Sequence, residues 1–217
     1  FPDEKVMEDL KIDYHRFEQI VKSWEPMQDY INLNNKTNFL KTHNAMCTIN
    51  SYKFTTNKNT KGAIYIVRDP RDVLVSFAHH FGLNYEETFT QLTSSNSYEY
   101  PTSSGKSYKK TIMGKWSDHY NSWKNYKSCK ILIIKYEDMI LNEHETFKKI
   151  INYLGEVNNT EFNEEKFKKA LNQSQFNELQ KLEKTEGFTE KGKGGIFFRN
   201  GKIGAWKNEI SVDLINK

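Results

Sequence analysis

A chain of 217 residues is long enough for one well-buried α/β domain and does not demand two. Charged residues make up 28%, apolar ones 36% and aromatic ones 14%, a balance that is polar for a globular protein yet too aromatic for a disordered one. The formal charge of +4 is scattered over lysines that sit beside glutamates, and no apolar run approaches the roughly 18 residues of a membrane helix, so neither a nucleic acid nor a membrane is expected as a partner.

No signal-like leader opens the chain, and a cytoplasmic protein is expected. The two cysteines, Cys47 and Cys129, lie far apart and show no zinc spacing, which fits buried free thiols better than a disulfide.

Taken in order, residues 3–31 read as helix, with Val6, Leu10, Phe17, Ile20 and Val21 near helical spacing. The chain opens on Phe1 with no strand before that helix. In a parallel sheet this is unusual, and an N-terminal portion is expected to be missing. Residues 38–44 read as a short strand ending in Lys41, Thr42 and His43, which puts a base candidate at a strand end; an ordinary surface imidazole fits His43 as well. A polar connection over residues 51–61 leads to an apolar, partly β-branched run, Ala63 to Val67, suited to a strand covered on both faces.

The junction at the end of that strand is the most informative stretch of the chain. Asp69 is placed to cap a helix over residues 70–82 whose first residue is Pro70, and Asp72 adds negative charge to its positive end. Arg68 then stands at the carboxyl end of the strand, the edge where open α/β sheets bind ligands, with Ser76 about two turns into the helix. A planar cation and a hydroxyl flanking one junction suit a phosphate. A surface arginine beside a capped helix is the competing reading.

Residues 84–92 read as a short amphipathic helix, followed by a polar loop from Thr93 to Tyr108 that is expected to act as a lid or plain surface loop. Gly105-Lys106-Ser107 imitates the end of a Walker phosphate loop, but the first glycine of that motif would fall where Tyr100 stands, and no strand feeds it. The Walker reading is therefore rejected, and an ATP- or GTP-using kinase, which would need such a loop and magnesium ligands, is carried only as a third reading. Residues 112–126 form a helix with Trp116, His119, Tyr120 and Trp123 at spacings of three and four, a stripe that is either core or the edge of a pocket.

Lys130 to Tyr136 reads as a second buried strand, Asn142 to Leu154 as a helix closed by Gly155, and residues 161–184 as further helix. Gly187 to Gly204 holds six of the eleven glycines together with Lys191, Lys193, Arg199 and Lys202. Such a loop brings backbone amides and cations to a phosphate, and it is equally well an exposed flexible loop.

Together, from Asn38 to the C-terminus, these segments resemble the PAPS-dependent sulfotransferases of the cytosolic type. Lys41-Thr42-His43 is similar to the family's Lys-Thr-His, in which the histidine is the catalytic base. Arg68 to Ser76 resembles the 3′-phosphate motif, whose first arginine and last serine hold that phosphate. Gly114-Lys115-Trp116-Ser117-Asp118-His119 with Trp123 looks like the Gly-Ser-Trp-x-x-His helix beside the acceptor pocket, and Tyr136-Glu137-Asp138-Met139 matches the Tyr-Glu-Asp-Met strand end near the adenosine. Ser174-Gln175-Phe176 is a weaker counterpart of Thr-Ser-Phe, where the ring packs on adenine. Phe198-Arg199-Asn200-Gly201 with Gly204-Ala205-Trp206-Lys207 resembles the glycine-rich phosphate clamp, with Asn200 in place of a lysine and Ala205 in place of an aspartate.

The resemblance implies an α/β fold with a parallel central sheet flanked by helices, of the P-loop nucleotide-hydrolase-like kind, in a single domain over residues 1–217. It implies sulfuryl transfer from PAPS to a hydroxyl or amine of a small-molecule acceptor, with PAP as product and no metal. His43 and Lys41 would be catalytic; Arg68, Ser76, Tyr136, Ser174, Phe176, Arg199, Asn200 and Gly201 would bind the nucleotide; Phe81 and His119 would line the acceptor pocket. The family's early strand and Pro-Lys-Ser-Gly-Thr-Thr-Trp loop for the 5′-phosphosulfate have no counterpart here. The expectation is thus a truncated domain, and binding without turnover is the alternative. Lys207 to Asn216 follows the family's dimer segment with serine for threonine and asparagine for glutamate, which implies a homodimer.

Overall fold

Lys11 takes a left-handed backbone, φ 55°, and there the helix expected over residues 3–31 breaks in two. Asp13 secures the next turn by accepting the backbone N–H of His15 at 3.0 Å. The break has a packing reason, because it lets residues from both pieces, Met7, Leu10 and Ile12 on one side and Phe17 and Val21 on the other, reach one hydrophobic cluster.

A computed structural model describes residues 4–13, 15–95 and 111–217. In chain order the elements are helices α1 (Glu4–Asp9) and α2 (Phe17–Asn32), short strands β1 (Thr48–Ile49) and β2 (Tyr52–Lys53), strand β3 (Gly62–Val67), and helices α3 (Pro70–Phe81), α4 (Tyr85–Thr93) and α5 (Trp116–Lys124). Strand β4 (Lys130–Lys135) comes next, then helices α6 (Tyr136–Leu141), α7 (Glu143–Asn158), α8 (Glu164–Gln173), α9 (Phe176–Glu186), α10 (Trp206–Glu209) and α11 (Val212–Ile215). Strands β3 and β4 pair in parallel, as the α/β reading requires, and β1 and β2 form a separate antiparallel hairpin with Thr48 opposite Lys53.

The described residues of Phe1–Tyr65 and Thr93–Leu132 form one compact unit, and Ile66–Leu92 with Ile133–Lys217 form the other. In the first, Met7, Val21, Trp24, Met27, Phe54 and Trp123 make the core. Phe54 is the hinge of that core, meeting Trp24 edge-on at 5.4 Å and Trp123 at 6.3 Å between ring centroids. Such aromatic pairs add about 0.5–1.5 kcal/mol each beyond the area they bury. Cys47 packs against this core as a free thiol whose pKa burial pushes up to about 11, which keeps it protonated and inert at neutral pH.

In the second unit the core is Leu74, Val75, Leu92, Ile210 and Leu214, with Phe77, Phe89 and Trp206 against it. The start of α3 forms as its sequence dictates: Asp69 accepts the N–H of Arg71 as the cap, Pro70 takes the first helical position, and Gly82 ends the helix with φ 65°.

Several expectations need correction. Residues 38–44 form no strand, because their backbone is held by side chains of α5 instead of a neighbouring strand. Strand β3 is not covered throughout, since Ile66 is 53% exposed. Tyr136 opens α6 instead of closing β4, and α5 starts only at Trp116, after Gly114 turns the chain with φ 66°.

Gly155 does not end its helix. A Cβ there would lie 2.7 Å from the carbonyl oxygen of Thr160, so the glycine serves close approach, and Asn159 takes the left-handed cap with φ 54°. The helix expected over residues 161–184 divides at Ser174 and Gln175, where Gln175 adopts extended backbone and its side-chain amide donates to both carboxylate oxygens of Glu143 at 2.8 and 2.9 Å. Thr93, expected to open a loop, closes α4 instead, and Gly105-Lys106-Ser107 with the stretch around it lies outside the described residues.

Candidate functional site

The carboxyl end of β3 delivers Arg68, and the surrounding chain orients its guanidinium from three sides. Its terminal nitrogen donates to the carbonyl oxygen of Lys202 at 3.1 Å and lies 3.9 Å from the Asp72 carboxylate, while the group spreads over the Tyr136 ring, 4.4 Å from the centroid. Its Nε is buried and has no hydrogen-bond partner among the described residues. A buried donor of this kind normally finds an acceptor, so an oriented cation with one unspent N–H is suited to an anion.

Asp72 explains how the glycine-rich segment reaches this place. It is 1% exposed within α3, and its two oxygens accept the backbone N–H groups of Gly204 at 2.7 Å and Trp206 at 3.2 Å. Arg71 clasps Asp69 through two hydrogen bonds of 2.9 and 2.6 Å and lies over the Trp206 ring at 3.8 Å, which draws α10 against the start of α3. Those hydrogen bonds from Arg71 hold the Asp69 carboxyl below the usual range. Glu137, next to Tyr136, accepts the backbone N–H of Asp69 at 3.0 Å and so ties α6 to the same junction.

Gly201 and Phe176 meet at the other end of the segment. A Cβ on Gly201 would sit 2.7 Å from the Phe176 ring, and Gly201 also needs φ 57°, so glycine is demanded twice. Phe198 adds an edge-on contact to Phe176 at 6.3 Å, and its carbonyl accepts from Gln180 at 2.9 Å. Of the expected nucleotide residues, then, Arg68 and Tyr136 are in direct contact, as are Phe176 and Gly201.

The remaining ones sit differently. Ser76 is exposed on α3, Ser174 is exposed and donates to the carbonyl of Leu171, and Asn200 is half-buried. Arg199 donates to Glu209 at 3.3 Å, and the other oxygen of Glu209 meets His79 at 3.2 Å and the Tyr85 hydroxyl at 3.0 Å. Burial alone would raise the Glu209 pKa, but the hydrogen bonds from His79, Tyr85 and Arg199 outweigh it and leave the carboxyl below its ordinary range. Phe81 packs within the same unit on Phe77, tilted at 4.4 Å between centroids, and edge-on with His80 at 4.6 Å.

In the other unit, Lys41 and His43 are exposed, and His119 is half-buried. His119 Nε2 lies 3.1 Å from the carbonyl oxygen of His43, and its Nδ1 lies 2.9 Å from the Tyr65 hydroxyl. Burial, together with the nearby His43, holds the His119 pKa below the ordinary imidazole range against the opposing pull of the carbonyl. Tyr65 is pushed up to about 12 by burial and the neighbouring Tyr120.

Asp72, Glu209, Tyr65 and the Lys202 carbonyl are structural partners that the sequence did not single out as site residues. The visible signal for Asp72 was an acid two residues past the helix's proline, which a helix-dipole effect explained without burial. For Tyr65 it was one hydroxyl in an otherwise aliphatic strand.

No helix among the described residues is long and apolar enough to cross a membrane. No cluster of three or more His, Cys, Asp or Glu among them is placed to hold a metal ion.

A parallel strand pair with a capped helix at its carboxyl edge defines an α/β protein, and its oriented arginine lies beside a glycine-rich segment. Residues 3–217 match the family model of the sulfotransferase domain, and the chain belongs to that family. It is 29% identical over 157 residues to a 3-alpha-hydroxysteroid sulfotransferase of Cavia porcellus, covering 69% of this chain and 50% of that protein. With an amine sulfotransferase of Oryctolagus cuniculus it shares 27% identity over 170 residues, covering 72% and 52%. The chain spans about half the length of the curated relatives it matches. Among solved structures, the crystal structure of retinol dehydratase in complex with androsterone and inactive cofactor PAP shares the fold, with a TM-score of 0.61 and 20% identity over 99% of this chain and 63% of that one.

Proposed function

We propose that this chain is the nucleotide-binding and catalytic part of a PAPS-dependent sulfotransferase that acts on a hydroxyl or amine of a small-molecule acceptor. The observation that carries this reading is the buried, unspent Nε of Arg68 on a guanidinium already oriented by Tyr136 and the Lys202 carbonyl. A planar donor held in this way matches a phosphate oxygen. Gly201, the residue before the Lys202 carbonyl that Arg68 bonds, packs against the Phe176 ring, and an aromatic ring there suits an adenine.

When bound, PAPS supplies the sulfuryl group. Arg68 and Ser76 donate to the 3′-phosphate, and Arg199, Asn200 and the Gly201 backbone close on it. Tyr136, Ser174 and Phe176 hold the base and sugar. His43 takes the proton from the acceptor as attack begins, and Lys41 offsets the negative charge that grows on the departing phosphate oxygen. Phe81 and His119 line the acceptor pocket. Protein donors alone hold the leaving nucleotide, so the reading requires no metal. It also takes residues 1–217 as a single cytoplasmic sulfotransferase domain that dimerises through Lys207 to Asn216.

The test is to incubate the protein, with any residues that precede Phe1 in its reading frame included, with PAPS and a panel of alcohols, phenols and amines, and to measure PAP and sulfated product by mass spectrometry. Product that depends on both PAPS and His43 is expected. Tight PAP binding with no product from any acceptor would overturn the catalytic reading and leave a nucleotide-binding protein.

A further inference from the structure

Helix α5 presents two ring N–H groups, one turn apart, to two consecutive carbonyl oxygens: His119 Nε2 lies 3.1 Å from that of His43, and Trp123 Nε1 donates at 2.9 Å to that of Asn44. Between them Ser122 accepts the backbone N–H of Met46 at 2.9 Å, and the Asn44 side chain accepts that of Ile112 at 2.7 Å. Residues i and i+4 share a helix face, so His119 and Trp123 both reach the one segment that runs past α5. A segment with no strand ladder is thus fixed by the side chains of a helix.

The hydrogen positions on His119 are dictated by its partners. A carbonyl oxygen only accepts, so Nε2 must carry a hydrogen. In the neutral ring Nδ1 is then an acceptor, and the hydrogen in the 2.9 Å contact comes from the Tyr65 hydroxyl. The opposite tautomer would set a ring lone pair against the lone pairs of the His43 carbonyl. An imidazolium would force Tyr65 to turn its hydrogen away, and burial of the ring opposes that charge. The titratable groups that face the ring are Tyr65 on β3, His43 on the held segment, and Tyr120 on α5 beside Tyr65.

We infer that Tyr65 is a positioning residue: by donating to Nδ1 it holds the His119 ring with its Nε2–H on the His43 carbonyl, and so secures the backbone of His43 and the aim of that imidazole. This deepens the proposed function and rests on the reading of His43 as the base. The ring of Tyr65 packs on His119, Tyr120 and Trp123 at 5.7, 6.0 and 6.2 Å, contacts that phenylalanine would keep. Only the hydroxyl carries the relay, so Tyr65→Phe isolates it.

Nitrogen NMR of the labelled protein at neutral pH tests the tautomer without any turnover. The expected spectrum gives His119 a protonated-type Nε2 and an unprotonated Nδ1, and Tyr65→Phe should keep that tautomer while its Nδ1 resonance moves downfield as the hydrogen bond to it is lost. In the transfer assay Tyr65→Phe should lower kcat by roughly 10- to 100-fold, the scale of a misplaced catalytic group, with KM for PAPS unchanged. His119→Gln, whose amide donates and accepts at matching ends, should retain more activity than His119→Phe. A hydrogen on Nδ1 in the parent, or a Tyr65→Phe protein with parental Nδ1 resonance and kcat, overturns the inference. Parental transfer by His43→Ala would instead sink the base reading, a result distinct from the NMR outcome.

Discussion

The Asp72 carboxylate, buried inside α3, accepts the backbone N–H of Gly204 at 2.7 Å, joining residues 132 positions apart. The same carboxylate serves Trp206, so one side chain fixes the approach of the glycine-rich segment to the helix just after Arg68. Asp72→Ala would leave two amides without their acceptor and is expected to cost about 3 kcal/mol of stability. Urea denaturation of the two proteins checks this. Asp72→Asn, which keeps one acceptor, should fall between them, and an alanine variant as stable as the parent would show that the clasp contributes nothing.

Gly201 supplies a second handle on the same segment. Alanine there must displace the Phe176 ring and accept a positive φ, for which we expect about 1–3 kcal/mol of destabilisation. PAP affinity should drop with it, whereas Gly187→Ala, at a glycine with open space around it, should leave affinity unchanged despite its own backbone strain. Calorimetric titration of both variants separates the two effects.

Glu209 makes the stability of its neighbourhood pH-dependent. Its folded-state pKa lies below the unfolded value of 4.5, so between the two the folded state binds fewer protons. Its contribution is therefore fully present above that unfolded value and is lost as pH falls through the folded one. The parent should exceed Glu209→Gln in melting temperature at pH 7, and the gap should shrink as the pH is lowered below about 4.5. A gap that stays constant down to acid pH would mean that the carboxylate charge is not what His79, Tyr85 and Arg199 hold.

Local chemistry was legible in the sequence where neighbours along the chain determine it. The strand ending at Arg68, the Asp69 cap and Pro70 at the first helical position involve residues within a few places of one another, and the structure reproduces them. Gly155 misled because glycine serves both caps and close approaches, and only the oxygen of Thr160 reveals which. The strand expected over residues 38–44 failed because a ladder needs a neighbour, and here α5 does that work. The bonds that hold the candidate residues join Arg68 to Lys202 in one unit and Tyr65 to His119 in the other, 134 and 54 positions apart, and no local pattern marks such pairs.

The assignment of His43 as base predicts a loss of transfer of roughly 10²- to 10⁴-fold on His43→Ala, with PAP affinity nearly unchanged. His144→Ala is the control, since that exposed imidazole on α7 meets the exposed carboxylate of Glu145 and the ring of Phe167, neither of them a proposed site residue. Initial rates with saturating PAPS decide it. Equal losses in both variants would indicate a folding defect and would contradict the assignment.

The central claim is that Arg68 is the anchor of a nucleotide phosphate, and calorimetric titration of the chain with PAP tests it most directly. The account predicts saturable binding that Arg68→Ala weakens roughly 10- to 150-fold, equivalent to about 1.5–3 kcal/mol for a charge-assisted hydrogen bond, while the fold survives. PAP binding of equal strength in the Arg68→Ala protein would contradict it.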